Sequence, residues 1–409
     1  MGRQVFGRTV RRLALLAGAF SVAVTLGLAA SSAEAANSGI VTAQSGRFVL
    51  RGAPFHFVGT NAYFMLDAAA DGSTAHTVQT MAMAKRLGFT VLRTWAFLDG
   101  TGAGVALQPA AGVYNEAAFR KLDYILDQAD RSGVRLLLSL VNYWGDYGGM
   151  PQYVRWCAPG ASVDAFYSNA RCRQLYKSYV KHLLTRVNTV NHRVYRDDPT
   201  VFAWELANEP RSGDRSGRTI RRWVAEMAAY VRALDRRHMI TTGEEGFDIT
   251  AAGYSSMAAY NNQGWLFNGS SGVAFTANTA DPNISFGSIH LYPEYWSLGV
   301  TGGSTWITDH IRVARRLGKP LVVGEFGFSN NPAPVFDTWI KAFERNNGAG
   351  ALVWQIICQA CQNYGGFSTI YPPTTAVSYV LGSAAARANR KSLSPLPTTE
   401  ATQDAPTDD

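Results

Sequence analysis

From residue 36 onward the chain alternates two patterns: short runs rich in Val, Ile, Leu and Phe, and longer stretches in which apolar residues recur with helical spacing. The short runs predict eight strands, at 56–62, 91–97, 135–142, 201–208, 239–245, 284–292, 320–324 and 350–357. The longer stretches predict helices at 78–87, 117–132, 173–191, 219–235, 305–317 and 334–346, with a last one at 374–387 after the eighth strand. Between strands five and six the chain is mostly polar and irregular, and its helical signal is the weakest. Strands separated by helices specify parallel pairing, and eight such units close into a barrel of about 250 residues or more. The expected fold is therefore α/β, a single (β/α)8 TIM barrel over 36–390 with extended loops at the C-terminal face of the strands. The competing arrangement is a doubly wound open sheet, but no glycine-rich phosphate loop follows the first strand.

Both ends of the chain break this pattern. Residues 1–35 carry Arg3, Arg8, Arg11 and Arg12, then an apolar run from Leu13 to about Ala30, then Ala33-Glu34-Ala35 in a small-x-small arrangement. That order predicts a secretory signal peptide and a secreted, extracellular protein, with no membrane attachment once the signal is removed. Residues 391–409 are rich in Ser, Thr, Pro and Asp and predict a disordered tail.

Charge and cysteine content narrow the reading. The formal charge of +8 falls to +5 without residues 1–35, which hold four arginines and Glu34. The remaining basic clusters, at 215–222 and 232–237, lie in or beside helical patterns, as solvated faces do, so nucleic-acid binding is not expected. Four cysteines in a secreted chain imply disulfides, most simply the local pairs Cys157 with Cys172 and Cys358 with Cys361. No second C-x-x-C and no His pair completes a zinc set, so neither a metal nor a cofactor is expected.

In such barrels the chemistry sits where strands end. The polar residues collected at those ends are Arg93, Asn142, Asn208, Glu209, Glu244, Glu245, His290, Tyr292 and Glu325, with Trp354 on the eighth strand. Two carboxylic acids facing one mouth suit glycosidic-bond hydrolysis, one protonating the departing oxygen and the other attacking or activating water. Glu205 has the same strand parity as Glu209 and should point into the barrel as a structural partner of Arg93. Trp95, Tyr143, Trp144, Tyr147, Tyr153, Trp156, Tyr295 and Trp296 crowd the loops after strands two, three and six. Their flat rings match the C–H faces of sugars, so the expected partner is a polysaccharide.

The stretches VLRTWAF, LLLSLVNYW, YGGMPQYVRW, AWELANEPR, SIHLYP, LVVGEFG and ALVWQ occur in an order that resembles glycoside hydrolase family 5, in its endo-β-1,4-mannanase branch. The resemblance implies Glu209 as general acid/base, Glu325 as nucleophile, and Asn208 on the sugar 2-hydroxyl. Arg93 and Tyr292 would keep Glu325 ionised, His290 would orient Glu209, and Trp354 would floor the subsite of the scissile sugar. Trp95, Asn142 and Trp144 join the substrate-binding set. Arg211 either binds hydroxyls on the leaving-group side or pairs with Asp214. Many family members have a histidine at the end of strand three, where this chain has Asn142. The implied activity is that of a monomeric retaining endo-β-1,4-mannanase acting on mannan, glucomannan or galactomannan. A cellulase of the same family and a non-catalytic carbohydrate-binding barrel are the alternatives.

Overall fold

The computed structural model describes residues 39–68, 74–100, 106–357 and 374–393. The expected signal peptide, the Cys358–Cys361 pair and most of the expected tail lie outside these residues.

Three short antiparallel strands come first: β1 (Thr42–Gln44), β2 (Arg47–Leu50) and β3 (Ala53–Phe55). Eight parallel strands follow, each beginning within three residues of its expected start. They are β4 (Phe57–Asn61), β5 (Val91–Trp95), β6 (Arg135–Ser139), β7 (Val201–Glu205), β8 (Met239–Thr241), β9 (Gly287–Leu291), β10 (Leu321–Phe326) and β11 (Gly350–Val353). Their spatial order is β8-β7-β6-β5-β4-β11-β10-β9. The seam between β8 and β9 is closed by hydrogen bonds just outside the strands, Ser285 N–H to the Ile240 carbonyl at 2.7 Å and His290 N–H to the Glu245 carbonyl at 3.1 Å. The result is the (β/α)8 barrel that the alternating pattern predicts.

Helices pack around it with their apolar faces inward. Glu116–Arg131 buries Phe119, Leu122, Ile125 and Leu126, and it starts where the Asn115 side chain accepts hydrogen bonds from the Ala117 and Ala118 amides. The final helix, Ala376–Leu393, continues past its expected end at residue 387 and takes in Lys391, where the tail was expected to start. Its extra turn is held by Ser392, whose hydroxyl bonds the backbone of His56 at the foot of β4.

The β1–β3 sheet has no counterpart in the expected elements. It closes the N-terminal mouth of the barrel: Phe48 and Phe55 meet Phe57, Phe202 and Phe286, with Phe48 edge-on to Phe202 at 5.2 Å and to Phe286 at 5.3 Å. Gly350 leaves room for the Phe57 ring, which lies 2.1 Å from where a Cβ would stand. With that end packed, the barrel interior is reached, among the described residues, from the C-terminal end of the strands.

There the loops are long. After β6 the chain forms helices Gly149–Cys157, Ala165–Ser168 and Ala170–Leu184, and the Cys157–Cys172 disulfide ties the first to the third. Closing this loop across a sequence separation of 15 is worth about 3 kcal/mol in the chain-entropy account.

Candidate active site

Strand parity sets up the floor of the open end. Arg93 on β5 and Glu205 on β7 both point into the barrel and are fully buried, with Arg93 Nη2 2.6 Å from Glu205 Oε1. A buried charge of this kind is tolerable only when its hydrogen bonds are complete. Arg93 makes them in three directions. Nε and Nη2 donate to Glu205, Nη1 donates to Asn61 Oδ1 (2.9 Å) and Glu325 Oε1 (2.5 Å), and Nη2 also donates to Asn208 Oδ1 (2.6 Å). Ser139 donates to Glu205 from β6 at 2.5 Å. Four strands are thus fastened to one guanidinium, and the partner expected for Glu205 is the one found.

Glu325 leaves β10 at a register irregularity between Val323 and Glu325 and receives the Tyr292 hydroxyl at 2.6 Å on Oε2. Glu209 lies just past β7 with φ +48°, a left-handed conformation that costs a non-glycine residue about 1 kcal/mol or more. Bonds on either side hold it there, from Asn208 N–H to the Val141 carbonyl (2.7 Å) and from Glu209 N–H to the Gly243 carbonyl (2.9 Å). The turn aims the carboxyl across the opening. His290 Nδ1 lies 2.7 Å from its Oε1, and the Trp144 indole N–H donates to its Oε2 at 2.7 Å. One carboxylate oxygen from Glu209, one from Glu325 and a ring nitrogen of His290 all lie within 4.8 Å of one another.

Burial is the largest influence on both carboxyls and pushes both upward. At Glu209 the bonds from His290 and Trp144 outweigh it, and the pKa falls below the ordinary 4.5. At Glu325, His290, Arg93 and Tyr292 pull down while the charge of Glu209 adds to the rise, and the net direction is up. Arg93 and Tyr292 pull the Glu325 carboxyl in the direction expected of them, and burial exceeds their pull. His290 is pushed down by burial, yet the two carboxylates win and raise it. The 2.7 Å contact allows one proton to be held between Glu209 and His290, and a pair so protonated is neutral overall whether the proton sits on nitrogen or oxygen.

Above this floor lies a cleft of about 580 Å³. Of the residues expected from the sequence, Trp95, Asn142, Trp144, Asn208, Glu209, Arg211, Tyr292, Glu325 and Trp354 line it. Arg93 and His290, grouped with the substrate-binding residues, are fully buried beneath it and touch the carboxylates instead. Among the crowded aromatics, Tyr147, Tyr295 and Trp296 also face the cleft, whereas Tyr153 is buried against Trp156 and Phe166 and belongs to the loop core. Arg211 does not pair with Asp214, which instead caps the helix Arg218–Leu234 through Thr219. Its guanidinium grips Glu245 with two 2.6 Å bonds and lies between the rings of Trp144 and Phe247. Glu245 lines the cleft, and Glu244, beside it, is buried away from it. Asn142 accepts a bond from Asn208 Nδ2 at 2.9 Å, so the residue at the usual histidine position fixes the Asn208 amide.

Four contributors were missed, Asn61, Tyr63, Asp146 and Trp265. Asn61 ends β4, Tyr63 lies just past it, and Tyr63 stacks on Trp354 at 5.1 Å and 6°. Both are polar residues at the C-terminal end of the first barrel strand, the same signal that marks the other seven ends. Trp265 comes from the irregular stretch between β8 and β9, where no periodicity marks it.

Residues 38–363 match the family model for glycoside hydrolase family 5 β-mannosidase-like proteins. The chain is 40% identical to mannan endo-1,4-β-mannosidase 1 of Oryza sativa subsp. japonica, covering 90% of each chain. It is 36% identical to mannan endo-1,4-β-mannosidase 1 of Solanum lycopersicum, covering 85% of this chain and 91% of the relative. Among solved structures it is similar to the endo-1,4-β-mannanase of Rhizomucor miehei, with TM-score 0.77, 31% identity, and coverage of 86% of this chain and 99% of that one. The endo-β-1,4-mannanase of Thermotoga petrophila gives TM-score 0.76 and 32% identity, covering 82% of this chain and 77% of that one. A closed barrel with two carboxyls converging at its open end, and a family match across nearly all of the described residues, place this chain in glycoside hydrolase family 5, among its β-mannosidase-like members.

Proposed function

We propose that the protein is a secreted, retaining endo-β-1,4-mannanase in which Glu209 is the general acid/base and Glu325 the nucleophile. One observation carries the mechanism: carboxylate oxygens of the two residues lie within 4.8 Å of each other at the floor of an open, aromatic-lined cleft. Inverting enzymes keep their carboxyl groups about 6.5–9.5 Å apart to admit a water, and retaining ones about 5–5.5 Å apart. In the first step Glu325 attacks the anomeric carbon while the proton shared by Glu209 and His290 passes through Glu209 to the departing oxygen. In the second, Glu209 takes a proton from water as the water displaces Glu325. Arg93 steadies the nucleophile in both its charged and its esterified state, since Glu205 neutralises the guanidinium throughout.

Asn208 has its carbonyl oxygen fixed by Arg93 and one amide hydrogen by Asn142, which leaves the second hydrogen for the sugar 2-hydroxyl. That hydroxyl is axial in mannose and equatorial in glucose. The mannan reading is supported by relatives at 35–40% identity whose names specify mannan. Tyr63, Trp95, Trp354, Trp144 and Trp296 supply ring faces along a groove that suits a polymer. Secretion rests on residues 1–35 of the sequence. Among the described residues no helix is long and apolar enough to cross a membrane.

Incubation with purified mannan, glucomannan and cellulose, followed by sizing of the products, tests the reading. Internal cleavage of mannan is expected. Cleavage of cellulose alone would transfer the assignment to the cellulase alternative, and binding without cleavage to the non-catalytic one.

A further inference from the structure

A second cavity, of about 480 Å³, lies at the opposite end of the barrel. It is bordered by the β1–β2 turn, by His56 just before β4, by the Gly318–Leu321 segment leading into β10, and by Asn346 and Asn347 ahead of β11. Its lining includes Arg47, His56, Arg315, Lys319 and Lys391 and no aspartate or glutamate. Among the described residues, Arg47, Arg315 and Lys391 are exposed around its rim and make no ion pair. Lys319 spends its protons on the Thr279 and Asp281 carbonyls at 2.5 Å each. His56 shows that these fields converge: after burial, its pKa is lowered by Lys391 and then by Arg47.

A cavity rimmed by three exposed cations without ion pairs, with Asn347 in its lining and no carboxylate, has the chemistry of an oxyanion site. We propose that it binds a multivalent oxyanion, either a phosphate or a cluster of carboxylates. Two sources can supply that chemistry: a dissolved anion, or the chain's own residues 394–409. That segment begins three residues beyond Lys391 and carries Glu400, Asp404, Asp408 and Asp409 with no lysine or arginine. A tethered ligand acts at an effective concentration in about the millimolar range, so weak local affinity would suffice. The site stands apart from the mannan cleft, and its existence does not depend on the proposed activity.

The test uses the full chain in three forms: the natural sequence, a cavity variant R47Q/R315Q/K391Q, and a tail variant E400Q/D404N/D408N/D409N. Inorganic phosphate is titrated at pH 7 against sodium chloride of equal ionic strength, following the thermal midpoint and calorimetric heat. Saturable binding of phosphate beyond the chloride control is expected in the natural chain or the tail variant, weakened tenfold or more by the cavity substitutions. Equal binding by the natural chain and the tail variant identifies a dissolved anion as the ligand. Binding that appears or tightens only in the tail variant identifies the chain's own carboxylates. The proposal is overturned if phosphate does no more than chloride in both forms, or if the cavity substitutions leave binding unchanged. Mannan hydrolysis by the cavity variant separately reports on the catalytic reading.

Discussion

Glu244 offers a quantitative test of the packing around the site. It follows β8, is fully buried, and accepts one hydrogen bond from Asn278 Nδ2 at 2.7 Å. It makes no ion pair among the described residues, and the charge of Asp248 adds to the effect of burial, so its pKa is raised from 4.5 to about 8. Because the folded value is the higher one, the protonated form is favoured in the fold. The contribution to stability is complete below about pH 4.5 and is lost as pH rises through about 8. The gap of about 3.5 units, at roughly 1.4 kcal/mol each, makes the buried carboxylate cost on the order of 5 kcal/mol above pH 8. Glu244→Gln keeps an amide oxygen for Asn278 and removes the titration. For a barrel of about 350 residues, at roughly 2 cal/mol/K per residue, 5 kcal/mol corresponds to a thermal midpoint shift of about 6–7 °C. The assay compares midpoints of the natural chain and the variant from pH 5 to pH 9, so that all other titrating groups cancel. The variant should match the natural chain near pH 5 and exceed it by several degrees at pH 9. A difference that stays constant with pH, or moves the other way, would refute the reasoning.

Glu209→Gln and Glu325→Gln should each lower kcat on mannan by about 10³-fold or more while circular dichroism and the thermal midpoint stay close to those of the natural chain, because each removes a group needed only in the transition state. The profile of kcat/KM should be bell-shaped. Its acidic limb should lie above pH 4.5, since Glu325 must be ionised and its pKa is raised, and its basic limb above 6.5, since the proton shared with His290 is held by a raised His290; limbs at or below these values in steady-state assays would contradict the shared-proton account. Arg93→Met strands Glu205 and Glu325 as buried, unpaired charges, and urea unfolding should show a loss of about 3–5 kcal/mol. The converging donors Glu209, His290 and Glu325 raise the question of a cation, and unchanged turnover after chelator treatment is the expected result.

The barrel was legible because its strands are short apolar runs, and burial on both faces leaves no other use for them. Strand ends were read too long: residues 206–208 were assigned to strand four, yet β7 stops at Glu205, and the chain then bends to carry Asn208 and Glu209 into the mouth. The helix expected at 305–317 begins at Gly299, because Gly302 and Gly303 lower the helical signal. Gly303 is there for contact, since the Trp339 ring lies 2.8 Å from its would-be Cβ. The three-residue and four-residue strands β1–β3 are too short for any periodicity to register, although together they plug the barrel. In the site, motif order singled out Glu209 and Glu325, whose carboxyls converge in the cleft, and strand parity pointed to the Arg93–Glu205 pair. What could not be read was the choice among partners brought together only by the fold: Arg211 takes Glu245, and Trp144 binds Glu209 directly. The net rise at Glu325 was not legible because the depth of burial, unlike the identity of a neighbouring charge, is not written locally in the sequence.

The central claim is a double displacement between Glu209 and Glu325, and proton NMR of the first product formed tests it most directly. Mannohexaose is cleaved in the spectrometer, and the anomeric signal of the new reducing end is followed before mutarotation. The account predicts that the β anomer appears first and the α anomer grows in later. Initial appearance of the α anomer would mean inversion through a water, and would remove the nucleophile role from Glu325.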